Sequence, residues 1–358
     1  MAEQEQEQEQ EQEQEHERAQ AQMQVKERQR YEQGFLDCRN VQVSIALQEW
    51  GVPVELLYYN AWESTRSVYE HLYVNKKLPW LYESPCLVPS ELGLIGVAYD
   101  EVQYATYEDA DTILQDVDYS EQAAFLWIVC GESPYVKPGF YGHPESVHSV
   151  WVQGLSSTSS LDSELADCTA GAGYWVRDTY PEFEGFVSET DFRRMVDSPY
   201  VHLEDRQVFL VRRPERNDSA DKGQIMERFL ERQRGLHDDA TFYDMISRTV
   251  NQPEPDFFPK WTELYDCHSH AFKFLAGSRY AYSCFAETLV SSEHPWVRLL
   301  RNIARRADKL KNVFLMAAQS GRVDGQVVHR MCTDLYRLEQ EWLASGHVEL
   351  GREAQLRR

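Results

Sequence analysis

An α+β domain followed by a helical region is the fold class this sequence predicts, and three observations carry it. From about residue 34 to 215 a capped helix precedes short apolar runs separated by Gly, Pro and Ser clusters. Beyond Pro214 the apolar residues recur every three or four positions, the period of a helix. At 358 residues, with 42% hydrophobic and 12% aromatic side chains, the chain has material for two cores.

Residues 1–33 stand apart. An alternating Glu-Gln tract runs from Glu3 to Glu15 and continues through Ala19-Gln20-Ala21-Gln22 to Gln33. With nothing in it to bury, it reads as disordered or as a fraying, solvated helix. The expected order is therefore a tail over 1–33, an α+β domain over 34–215, a linker over 216–223 and a helical domain over 224–358.

Within the second segment, Asp37 suits an N-cap and Cys38 opens the helix. Val41, Ile45 and Ala46 follow at helical spacing, and Gly51 with Pro53 forms a stop. Val54–Tyr59 and Leu92–Tyr99 read as strands. The continuously apolar Ala123–Cys130 reads as a strand covered on both faces. His148–Gly154, Gly173–Asp178 and Val208–Val211 complete the set, and the Ser-rich stretch from Ser156 to Ser163 joins two adjacent strands. Arg216–Gly223 reads as the linker. Three stripes then argue for packed helices: Trp261, Leu264, His268, Ala271 and Leu275; Leu300, Ile303, Ala307, Leu310, Phe314 and Ala317; Val328, Met331, Leu335, Leu338 and Trp342.

The formal net charge is −23. Residues 1–33 hold ten Glu against four Lys or Arg, a net of −6, so the rest of the chain carries −17. Such a surface repels a phosphate backbone and argues against nucleic-acid and lipid-surface roles. It attracts cationic small molecules such as amino sugars or polyamines. Seven cysteines at irregular spacings, with no CxxC pair, suit reduced thiols in a cytoplasm. Neither a signal peptide nor an apolar run of membrane-spanning length is visible.

Cys38 is the residue on which a chemical reading turns. The partial positive charge of a helix N-terminus favours the nucleophilic thiolate. A buried apolar cysteine is the plainer reading unless a histidine and an acid or amide accompany it. Here His148 opens one strand and Asp178 closes another. If those strands are antiparallel neighbours, the start of one lies beside the end of the other. The imidazole then reaches the sulfur, and the carboxylate holds the imidazole. Cysteine on a helix, with histidine and aspartate following on a sheet, is the papain-like arrangement.

Residues 34–215 resemble the N-terminal domain of the butirosin-biosynthesis protein H family, relatives of papain-like and bacteriocin-processing peptidases. The matching features are Asp37-Cys38 opening a helix ended by Gly51, the run from Phe125 to Tyr135, His148–Gly154 and Arg177-Asp178-Thr179-Tyr180-Pro181. The Ser-rich insert between the His148 and Asp178 strands is longer than the family's connection. Family members usually carry a helical C-terminal region, which residues 220–350 suit. The resemblance implies acyl transfer from a carrier-protein thioester to an amine in natural-product biosynthesis. Cys38 is then the nucleophile, His148 the base and Asp178 its orienting partner. Gln33 is similar to the oxyanion glutamine of papain-like enzymes. The acyl group arrives on phosphopantetheine of a carrier protein, with no other cofactor and no metal.

Other residues have plainer explanations. His143 lies between Gly142 and Pro144, in a loop, and suits a surface or substrate contact. Cys267-His268-Ser269-His270 lacks the second ligand pair of a structural zinc site, and His268 falls on an apolar stripe. Cys86, Cys130, Cys168, Cys284 and Cys332 read as structural. Arg298, Arg301, Arg305, Arg306, Lys309 and Lys311 lie within fourteen residues that hold a single acid, Asp308. They form either a solvated helix face or a dock for an acidic carrier protein. Three function classes follow: an amide-forming acyltransferase, a thioesterase or peptidase using the same triad, and a non-catalytic scaffold of the same fold. Homo-oligomerisation is compatible with each.

Overall fold

The computed structural model describes residues 25–76, 82, 84–137, 145–156, 171–216, 220–239, 241–251 and 261–356. In chain order the helices are α1 (25–35), α2 (Cys38–Glu49), α3 (Thr65–Tyr69), α4 (Tyr107–Gln115), α5 (Glu189–Val196), α6 (Lys222–Arg234), α7 (Thr241–Asn251), α8 (Trp261–Leu289), α9 (Pro295–Ser320), α10 (Gly325–Glu341) and α11 (His347–Leu356). The strands are β1 (Ala98–Gln103), β2 (Gln122–Val129), β3 (Val147–Ser156), β4 (Gly173–Thr179), β5 (Glu182–Ser188) and β6 (Gln207–Arg212). Mixed helix and antiparallel sheet make the fold α+β.

Two compact units divide these elements, along lines other than those the sequence suggested. One comprises Met1–Leu36, Tyr58–Cys86 and Met226–Arg358; the other comprises Asp37–Leu57 and Leu87–Ile225. Residues 58–86 thus join the helical unit, because their aromatic side chains pack there. Trp62 lies edge-on to Tyr282, and the Tyr73 hydroxyl is 2.6 Å from His268 Nδ1. Nor do 220–223 behave as a linker. Asp221 takes the amide of Gln224 at 2.9 Å, and α6 starts at Lys222.

The sheet-bearing unit is a six-stranded antiparallel sheet in the order β1-β6-β2-β3-β4-β5. The apolar run that forms β2 is central and buried on both faces, as its composition requires. On one face Leu126, Ile128, Val150, Val152, Tyr174 and Val176 pack with Tyr107, Ala110 and Leu114 of α4 and Phe192, Met195 and Val196 of α5. On the other face lies α2, with Arg39 over the rings of Trp127 and Phe209 at 5.4 and 4.8 Å.

Two expected strands take other forms. Val54–Asn60 is a 3₁₀ helix, and Pro89–Ile95 is another, closed by left-handed Gly96, so that β1 begins only at Ala98. Short apolar runs satisfy either geometry when buried all round. The strand β5 carried no continuous apolar signal, because it alternates exposed Glu182 and Glu184 with Phe183 and Gly185 and lies at the sheet edge.

In the helical unit α8 and α9 run antiparallel, with Ser269 Oγ donating to Lys311 O at 3.2 Å and Arg301 paired with Glu287. Residues 25–33 belong to α1, so of the two expected forms, disorder or a fraying, solvated helix, they take the helix, but docked rather than solvated. Tyr31 stacks on Tyr280 at 4.3 Å, and Glu32 accepts from Tyr58 at 2.6 Å and from Arg28 at 2.7 Å. A Cβ at Gly277 would come within 2.5 Å of Tyr31 O and Phe35 Cβ. Two buried aromatics, Tyr31 and Phe35, and a side-chain-free seat dock this otherwise polar helix. Residues 1–24, Cys168 and the Ser-rich stretch beyond Ser156 lie outside the described residues. Among the described residues no helix is long and apolar enough to cross a membrane.

Candidate active site

Asp37 caps α2 as its sequence position suggests, accepting from the amide of Asn40 at 2.9 Å and from its side-chain amide at 2.7 Å. This fixes the first turn, so the Cys38 side chain projects from a rigid helix end. Burial pushes the Asp37 carboxyl above its ordinary range, partly offset by the Asn40 amide and the charge of Arg39.

The strands that carry His148 and Asp178 are adjacent and antiparallel, β3 against β4. Their register pairs Trp151 with Arg177 and Val152 with Val176. By alternation His148 and Asp178 share the face of Val150, Val152 and Val176, while Ser149 faces α2. His148 Nε2 lies 2.7 Å from Asp178 Oδ1, and both side chains are buried. The Ser149 amide donates to Cys38 Sγ at 3.4 Å. It is free to do so because the β3–β4 ladder stops at Trp151 and Arg177. The sulfur enters where the two strands part, and there it also engages His148 through a hydrogen bond and its charge. With Nε2 on Asp178, the ring nitrogen left for the sulfur is Nδ1.

Burial, the charges of Cys38 and Asp178, and hydrogen bonds with both set the basicity of His148. Burial, the largest, acts against the imidazolium. The Cys38 charge and the hydrogen bonds with Asp178 and Cys38 outweigh it, so the pKa rises from 6.5 to about 10. A protonated imidazole is thereby favoured whenever the sulfur is ionised, which is the state a thiolate nucleophile needs beside it.

Three further residues support this cluster without having stood out in the sequence. Tyr135 donates its hydroxyl to Asp178 Oδ2 at 3.1 Å and stacks on Phe183 at 3.9 Å between centroids. Burial, then the Asp178 charge, hold that phenol well above its ordinary pKa, so it remains a donor. The Tyr180 amide donates to Asp178 Oδ1 at 3.0 Å. Gln42 donates to Ser149 O at 2.6 Å and accepts from Ser149 Oγ at 2.9 Å, clamping α2 to β3. Gln42 lies four residues after Cys38, one helical turn on, and that spacing is the signal that could have singled it out.

The remaining candidates fall elsewhere. Gln33 is half-buried in α1, within the helical unit. His143 lies outside the described residues. His268 is fully buried, held by Tyr73 at 2.6 Å and Thr249 at 3.4 Å, and burial lowers its pKa to about 3. It is a neutral core residue. Among the described residues no group of three or more His, Cys, Asp or Glu could hold a metal ion. Burial also pushes Cys267, Cys284 and Cys332 up to about 12, which disfavours their thiolates. Of the basic residues on α9, Arg301 pairs with Glu287, Arg306 with Asp334 at 2.8 Å and Lys311 with Asp308 at 2.6 Å. Arg298, Arg305 and Lys309 are exposed and have no ion-pair partner among the described residues.

No protein-family model matches the chain, and no solved structure does. A Niallia circulans transferase is 22% identical to it over 276 residues, covering 76% of this chain and 83% of that protein. Its name gives ribostamycin as one substrate. The other is 4-(γ-L-glutamylamino)-(S)-2-hydroxybutanoyl BtrI acyl-carrier protein, whose acyl group it transfers. The similarity to the butirosin-biosynthesis protein H family, first visible around Cys38, His148 and Asp178, thus extends over most of the chain.

Proposed function

We propose that this protein is a cysteine-dependent acyltransferase with a papain-like catalytic unit. It takes an acyl group from a carrier-protein thioester and forms an amide with an amine in natural-product biosynthesis, in the cytoplasm. The meeting of Cys38, His148 and Asp178 where β3 and β4 part is the observation that carries the reading. The relative's use of a carrier-bound acyl donor supports it.

In the first half-reaction the Cys38 thiolate attacks the thioester carbonyl. The new S–C bond forms as the carbonyl π electrons move to oxygen. Collapse then breaks the bond to the phosphopantetheine sulfur, and His148 gives that sulfur its proton. An acyl-Cys38 remains and His148 is neutral. In the second half-reaction an amine attacks the same carbonyl, His148 takes its proton, and the Cys38 thiolate leaves as the amide forms. Asp178 holds the ring through Nε2 and stabilises each imidazolium. The Cys38 amide at the α2 N-terminus is the proposed oxyanion donor. Phosphopantetheine comes with the substrate, so this chemistry needs no cofactor of the enzyme's own and no metal.

Intact-protein mass spectrometry tests this directly. Mixing the protein with 4-(γ-L-glutamylamino)-(S)-2-hydroxybutanoyl carrier protein should add the acyl mass, and Cys38→Ser should abolish the gain. Ribostamycin should then discharge the adduct as an amide. Discharge by water alone would assign a thioesterase. Release of amide by Cys38→Ala at the wild-type rate would remove the cysteine mechanism, and intact pathway output in cells carrying Cys38→Ala would favour a scaffold.

A further inference from the structure

The charge of this chain is unevenly placed. The sheet-bearing unit holds 28 acidic and 10 basic residues, a net of −18. The helical unit's two segments after the N-terminal one, 58–86 and 226–358, hold 21 acidic and 22 basic residues, a net of +1. An acidic partner is repelled by the first and finds neutral ground on the second.

On that neutral ground α9 presents a single row. Arg298, Arg305 and Lys309 are spaced by seven and four residues, so they fall within about 40° of one line, and the row is about 16 Å long. Asn302 and Asn312 flank the line, and it ends at Met316, which is 63% exposed, beside Leu315 at 43%. The other three cations of α9 are spent on Glu287, Asp334 and Asp308. Pairing within the fold therefore removes half of the basic residues and leaves the aligned ones unopposed.

We propose that this row is the docking face for the acyl-carrier protein, receiving an acidic helix whose apolar side chain rests on Leu315 and Met316. Three carboxylates at helical spacing match the row in length and charge, and the two apolar residues supply a desolvated anchor at its end. The partner's identity rests on the acyl-transfer function proposed above; the face itself rests on the placement of charge. The chain's own Glu-Gln tract is the competing occupant of opposite sign.

Binding, measured separately from turnover, tests the face. Fluorescence anisotropy of a labelled holo-acyl-carrier protein is recorded with full-length protein and with two triple variants of equal charge change. One is Arg298→Glu, Arg305→Glu, Lys309→Glu; the control is Arg234→Glu, Arg322→Glu, Arg352→Glu, all exposed. The row variant should raise Kd at least tenfold and flatten its salt dependence, with less than a threefold effect in the control. Equal weakening in both, no change in either, or no binding by the wild type would overturn the proposal. Tighter binding by the row variant would also overturn it and give the face to residues 1–24. Acylation of Cys38 by the same acyl group on N-acetylcysteamine, which has no carrier to dock, judges the catalytic reading independently.

Discussion

Tyr135 and His148 hold opposite oxygens of one carboxylate: the Tyr135 hydroxyl donates to Asp178 Oδ2 at 3.1 Å, and His148 Nε2 lies 2.7 Å from Oδ1. With the Tyr180 amide also on Oδ1, Asp178 has little freedom to rotate away from the imidazole. Asp178→Asn should lower acyl-transfer kcat by about a thousandfold or more, since an amide cannot stabilise the imidazolium in the same way. Tyr135→Phe removes only the outer tether, so about a tenfold loss in kcat with little change in KM is expected. A pH–rate profile should show the basic limb displaced in Tyr135→Phe. An unchanged profile would reduce Tyr135 to a packing residue.

His148 should titrate far above an ordinary histidine, at about 10, because the charge of Cys38 and the hydrogen bond with Asp178 outweigh burial. Removing the sulfur in Cys38→Ala leaves burial opposed chiefly by Asp178, so the titration should move markedly down. Ring nitrogen chemical shifts measured from pH 5 to 11 would show this. Coincident curves for the two proteins would mean that the sulfur and the ring are not coupled.

The same raised pKa has a consequence for stability. The folded state binds the His148 proton more tightly than the unfolded chain, so its contribution is whole below about pH 6.5 and is lost as pH rises through about 10. His268 has the opposite sign. Its pKa of about 3 means the folded state resists protonation, so its contribution is whole above pH 6.5 and declines as pH falls. Urea denaturation from pH 4 to 10 should therefore show a shallower acid limb in His268→Leu and a shallower alkaline limb in His148→Leu.

Arg279 and Glu339 form a fully buried pair at 2.7 Å in the helical unit, with the guanidinium also 3.7 Å from the Trp62 ring centroid. Burial, opposed chiefly by Arg279, raises the Glu339 pKa. Glu339→Leu alone leaves a cation without its partner and should cost about 3–5 kcal/mol. Arg279→Met combined with Glu339→Leu should recover much of that loss. Equal destabilisation of the single and double variants in denaturant titrations would show that packing, rather than charge, is what the pair contributes.

At the seat of α1, Gly277→Val places carbon within about 2.5 Å of Tyr31 O and Phe35 Cβ. The expected cost is about 1–3 kcal/mol. It should appear as faster amide exchange across α1, with the sheet-bearing unit unaffected.

The sequence determined the elements whose signals are local. Asp37 before Cys38 located a cap and a helix start. Alternating apolar residues located β3 and β4, and the three stripes became α8, α9 and α10 with Trp342 just beyond. His148 and Asp178 were legible as partners because both lie at strand ends, where antiparallel pairing brings them to one place. Tertiary structure alone decided that Val54–Asn60 coils rather than extends, since a short run buried on all sides carries no period. It also decided the assignment of residues 58–86 to the helical unit, the seating of α1 on Gly277, and the choice of Tyr135, Gln42 and the Ser149 amide as supports of the Cys38, His148 and Asp178 cluster. These depend on groups that meet across 42 to 245 intervening residues, and local pattern holds no record of what lies opposite. Which cations on α9 remain unopposed was likewise settled by Glu287, Asp308 and Asp334, of which only Asp308 lies on that helix.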